Sequence, residues 1–188
     1  MSVMDWMPLV STAAGAVIAL GGTMLADTLR RRDERGRSQR SDRRQSYLDF
    51  VMALDTAHGL LRSVASKKGQ PSEIRDAANE AISQAQLYKA RETHLVTAAP
   101  SVAQAGEVAF RNIITIRDVV RSGTRLGTRE FHDAYHDFAE SIWKLRMAVR
   151  VDLGSRHLKP DELHQVSWSE RESCDLCSPP ETLDSTPS

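Results

Sequence analysis

Residues 128–154 read TREFHDAYHDFAESIWKLRMAVRVDLG, and their periodicity decides the fold class. Phe131, Tyr135, Phe138, Ile142, Leu145 and Val149 recur every three or four positions. That spacing gathers side chains on one face of an α-helix. Thr128 is a residue type that caps helix N-termini, and Glu130 falls in the first turn, where the helix dipole favours negative charge. Gly154 supplies the stop. One apolar seam flanked by polar residues predicts an amphipathic helix that must pack against others.

Three segments upstream carry the same signature. The first runs from about Arg43 to Lys67, with Tyr47, Phe50, Val51, Leu54, Ala57, Leu61 and Val64 on one wide face, and Gly69-Gln70-Pro71 ends it. The second runs from Pro71 to about Val96, with Ile74, Ala78, Ala81, Ala85, Tyr88 and Leu95 as its seam. Its alanine stripe predicts a close helix–helix contact. The third follows Pro100, with Val102, Ala105, Ala109, Ile113, Ile116 and Val120 inward and Ser101 with Gln104 as a candidate capping box. Four such helices joined by short connections predict an antiparallel bundle over residues 46–153.

Further out lies Trp6–Ala26, WMPLVSTAAGAVIALGGTMLA, without a charge. As a helix it spans about 31 Å, close to the ~30 Å hydrocarbon core of a bilayer. It predicts a transmembrane helix at 7–29, ahead of a soluble buried helix or a signal peptide; the latter needs a basic start, and no Lys or Arg precedes Arg30. Ser11, Gly15 and Ala19 form a small-residue stripe, suited to helix association and also ordinary membrane-helix composition. Eight arginines against three acids follow between Arg30 and Arg44. By the positive-inside rule, residues 1–6 then lie outside and the bulk of the chain in the cytoplasm, at a cell inner membrane. Arg30, Arg31, Arg32, Arg35 and Arg37 are placed to meet anionic headgroups in a basic juxtamembrane segment, 30–45, either helical or a solvated linker.

Overall charge is balanced, 25 basic residues against 25 acidic, so it indicates no nucleic-acid partner, and no aromatic residues interleave the arginines for base stacking. Periodicity ends at Gly154, and the acidic stretch 154–188 predicts a disordered tail. The two cysteines, Cys174 and Cys177, sit only there and form no disulfide framework.

Candidate chemistry is sparse. His132, His136 and Glu140 share a helix face at four-residue intervals, a spacing that can present metal ligands. The same positions border the Phe131/Tyr135/Phe138 seam, where boundary polar residues ordinarily sit. Cys174-x-x-Cys177 with His157 and His164 matches no standard zinc ribbon or knuckle. His58 and His94 read as boundary residues at the core edge. No phosphate loop, nucleophile elbow or nucleophile–base pair is present, so no catalytic residue and no cofactor is indicated.

Asp5-Trp6, Pro8-Leu-Val-Ser-Thr, Gly21-Gly-Thr-x-Leu-Ala-Asp27, the arginine run and Phe50-Val-x-Ala-Leu-Asp-x-Ala-His58 together resemble a family of small actinobacterial membrane-anchored helical proteins. The likeness covers about residues 5–61. That family has no assigned activity, so the resemblance implies topology alone. The sequence therefore predicts an all-α protein: a transmembrane helix, an antiparallel four-helix bundle and a disordered acidic tail. Its expected role is a non-enzymatic interaction or scaffold protein, contacting lipids and a protein partner or a second copy. The alternative is a tethered metal- or ligand-binding sensor bundle using His132, His136 and Glu140.

Overall fold

The backbone of residues 7–177 and the side chains from Thr28 to Cys177, except residues 29, 33 and 35, are described by a computed structural model. Two compact units divide the chain, Met1–Asp42 and Arg43–Ser188. Helix α1, Met7–Ser66, contributes residues to both.

The backbone of 30–45 is helical, which settles the choice between helix and irregular linker; residues 30–42 belong to the first unit and 43–45 to the second. Arg30 donates to Glu34 at 3.0 Å, one turn along, and Arg30, Arg31, Arg32 and Arg37 are exposed. The Arg35 side chain, the segment 1–6, and the side chains of the expected span through residue 27, with its Ser11, Gly15 and Ala19 stripe, lie outside the described residues. Among the described residues no helix is long and apolar enough to cross a membrane.

The second unit packs four helical layers with no strand among the described residues. They are the last part of α1, the pair α2 (Pro71–Gln84) and α3 (Leu87–Thr97), α4 (Pro100–Arg121) and α5 (Arg129–Asp152). The four apolar seams make one core. Phe50, Leu54, Ala57 and Leu61 meet Val102, Ala109, Ile113, Ile116 and Val120, with Phe131, Phe138, Ile142 and Leu145 from α5. Thr128 caps α5 as its chemistry predicts, its Oγ1 accepting from the Phe131 N–H at 3.4 Å. Gly123 and Gly154 take φ of +92° and +84°, the left-handed turn that ends a helix and suits glycine.

Three features differ from the sequence reading. The second helix is broken at Gln86, whose φ is +54°. Buried Ala85 and Leu87 are two positions apart, roughly 200° around an unbroken helix, and cannot share a face. The break turns both inward and shifts the seam by one residue, so Leu87 and His94 are buried, while Tyr88 is 52% exposed. His94 is thus a core residue, not a boundary one: it stacks on Phe50 at 4.4 Å and meets Tyr47 edge-on. Helix α4 is capped by Ala99 rather than by a Ser101/Gln104 box. The Ala99 N–H donates instead to the Tyr47 hydroxyl at 3.2 Å, and that hydroxyl donates to Asp152 at 2.8 Å.

The third difference is the stretch after α5. Residues 154–177 are not the disordered tail expected from composition; they fold back along α5 through two 3₁₀ turns, Pro160–Leu163 and Arg171–Ser173. Trp168 stacks on Trp143 with centroids 4.7 Å apart, and Arg171 pairs with Asp133 and Asp137. Low overall hydrophobicity hid a few strong anchors, which suffice because α5 already presents a rigid face.

Candidate metal centre

The His132 and His136 positions follow from α5 itself. Four residues advance a helix by about 400°, so the two imidazoles stand one turn apart on one face. Their ring centroids are 6.1 Å apart. The folded-back segment then brings Cys174 to them, with its Sγ 3.3 Å from His132 Nδ1. One donor atom each from His132, His136 and Cys174 lie within 4.8 Å of one another. A tetrahedral zinc site with Zn–N of about 2.0–2.1 Å and Zn–S of about 2.3 Å spaces its donors roughly 3.3–3.8 Å apart. The Cys174–His132 pair already has that separation; the third donor is within about an ångström of it.

His136 is oriented for ligation. It is 2% exposed, and its Nδ1 lies 2.6 Å from the Ser169 carbonyl. A carbonyl only accepts, so Nδ1 carries the hydrogen and Nε2 holds a free lone pair. Nε2 is buried and has no hydrogen-bond partner. A backbone carbonyl on the distal nitrogen is the usual outer-shell partner of a metal-binding histidine. Cys174 is prepared as well. Its thiol is lowered to about 6, first by the His136 ring when Nε2 carries a proton that faces the sulfur, then by the Leu176 and Cys177 N–H groups and His132; an ion bound at Nε2 would take that proton's place. A thiolate is therefore favoured at neutral pH.

The surroundings hold this arrangement in place. Arg171 grips the Asp133 carboxylate and reaches Asp137 at 3.1 Å, fixing the segment beside the histidines. Hydrogen bonding to Arg171 holds the Asp133 carboxyl below its ordinary value. Cys177 is 8% exposed, its Sγ 3.7 Å from Asp133 Oδ1, and burial pushes its thiol up. A cavity of about 400 Å³, lined by His58, Arg62, Leu126, Phe131 and Tyr135, opens against the flank of His132.

Glu140 is not part of this group; it pairs with Lys144 at 2.6 Å. Eight residues carry it about 12 Å along the helix from His132, too far for those three to converge on one ion. The residue that the structure does bring to His132 and His136 is Cys174, from the segment read as disordered. His157 and His164, both exposed, take no part. The signal that does point to the site is the pairing of His-x3-His with a distant Cys-x2-Cys, each ordinary metal-ligand spacing when taken together.

Comparison with protein families, with curated proteins and with solved structures finds no match.

Proposed function

We propose that this chain is a non-enzymatic, membrane-tethered helical bundle that binds a zinc-class ion through His132, His136 and Cys174. The ion fastens the C-terminal segment to α5, and the fastened surface is what a protein partner meets. The convergence of the three donors within 4.8 Å, with His136 Nε2 left free by the Ser169 contact, carries the reading. Two imidazoles and a thiolate are a soft set that suits zinc and other late transition metals rather than magnesium or calcium. This revives the sensor alternative with Cys174 in place of Glu140.

The tether rests on the uncharged stretch at 6–26 and the arginines after it. Arg30, Arg31, Arg32, Arg35 and Arg37 would then lie at the headgroups of the inner leaflet, and the small-residue stripe offers a route to self-association. A reporter at Ser188 should report the cytoplasm, and the protein should resist carbonate extraction. A carbonate-soluble protein would remove the tether while leaving the metal reading intact.

The metal reading is tested by metal analysis of the purified full chain. One zinc per chain is expected, lost in His132→Gln with His136→Gln. Zinc should raise the melting temperature of wild type as its concentration exceeds the dissociation constant, and leave the double variant unmoved. Because its surroundings lower the Cys174 thiol to about 6, affinity should hold at neutral pH and fall as pH drops below about 6, where protons displace the ion. Absence of stoichiometric metal, with no thermal response to zinc, would overturn the proposal.

A further inference from the structure

Three donors leave a tetrahedral ion one position short. Zinc sites with three protein ligands and an open position do chemistry, whereas sites with four are structural, so the fourth ligand decides what the centre is for. We infer that Cys177 supplies it, closing a His132–His136–Cys174–Cys177 site. The inference rests on the metal reading above and deepens it.

Placement carries the argument. The Cys177 N–H donates to the Cys174 carbonyl at 3.1 Å, closing a β-turn. Such a turn holds its first and last Cα atoms within about 7 Å, so both side chains can project to one point. Two intervening residues are the usual separation of zinc-chelating cysteine pairs. Cys177 is buried rather than turned to solvent; its sulfur lies outside the 4.8 Å within which the other three donors converge, so it closes on the ion by a change of rotamer. Its sulfur lies beside Asp133, the neighbour of His132, on the same turn of α5 as the ligand set.

The charges also close. Two neutral imidazoles and two thiolates around a divalent ion sum to zero. Each ligating thiol gives its proton to solvent and donates a sulfur lone pair; nothing is oxidised or reduced. Asp133, which now receives the Cys177 S–H, loses that donor on metal binding. It keeps Arg171, together with Arg129 at 3.7 Å, so its carboxylate stays compensated beside the new thiolate.

X-ray absorption at the zinc edge of the full chain, purified in detergent, counts the ligands directly. Two sulfurs at about 2.3 Å and two nitrogens at about 2.0–2.1 Å are expected. Cys177→Ser should remove one sulfur and weaken zinc binding by more than about 100-fold, beyond the 10–100-fold typical of losing an outer-shell partner. The wild-type count stands even if the variant folds poorly. A single sulfur in wild type, with Cys177→Ser binding zinc as tightly, would overturn Cys177 as a ligand and leave the three-donor site standing. No bound zinc in wild type would overturn both.

Discussion

Gly106 shows how a single residue fixes the core around His94. A Cβ built there meets His94 Nε2 at 2.6 Å and Phe50 Cε1 at 3.0 Å, and both rings are buried and stacked on each other. Neither ring can retreat. Gly106→Ala, ordinarily favourable within a helix, should instead destabilise the bundle by about 1–3 kcal/mol, as overpacking does. Urea unfolding measures it, and a variant as stable as wild type would refute the contact. His94 also makes stability depend on pH. Burial lowers its pKa from the ordinary 6.5, so the unfolded chain binds the proton more readily. Stability from neutral His94 is complete above about pH 6.5 and is lost as pH falls below it. His94→Leu should flatten the decline in urea midpoint between about pH 7 and 5, measured with chelator present so that metal binding does not contribute.

Elements are redirected by their breaks as much as by their seams. Gln86 holds a left-handed conformation that costs an L-residue roughly 1–2 kcal/mol, and it persists because it lets Leu87 enter the core. Gln86→Gly should therefore be neutral or stabilising by up to about 1 kcal/mol, while Gln86→Val should destabilise. Equal loss in both variants would mean that the side chain, not the backbone, matters there. Phe138, 2% exposed on α5 and packed against the His58 ring, anchors the seam that the chain's own periodicity announces. Phe138→Ala should cost about 3–5 kcal/mol. A change within error of wild type would contradict its burial.

At the scale of the molecule, the second unit closes on itself from end to end. The Arg43–Asp152 pair and the Tyr47 hydroxyl tie the start of the second unit to the end of α5. The Leu126 N–H donates to the Ala65 carbonyl at the opposite end of that stretch of α1. Residues 43–177 expressed alone should accordingly be soluble, helical and cooperative in unfolding, since a single core spans all four layers. Separate transitions by circular dichroism and tryptophan fluorescence would refute a single unit. The stacked Trp143 and Trp168 make fluorescence sensitive to whether the C-terminal segment remains on α5.

Periodicity alone determined the seams of α1, α4 and α5 and the first half of the second, because a helix can bury apolar residues only at its own repeat; Phe131, Phe138, Ile142 and Leu145 all obey it. Thr128 and Gly154 were equally legible, since capping and left-handed stops depend on local backbone chemistry. The break at Gln86 was not: Ala, Gln and Leu all favour helix, and only packing makes a left-handed residue worth its strain. That His132 and His136 share one helix face was legible through local spacing. The thiol beside them could not be read the same way, since Cys174 lies 42 residues from His132 along the chain and reaches it only when Arg171 and Trp168 dock on α5. Contacts within one turn are written in sequence; contacts that close a long loop exist only once tertiary anchoring has offset its entropy.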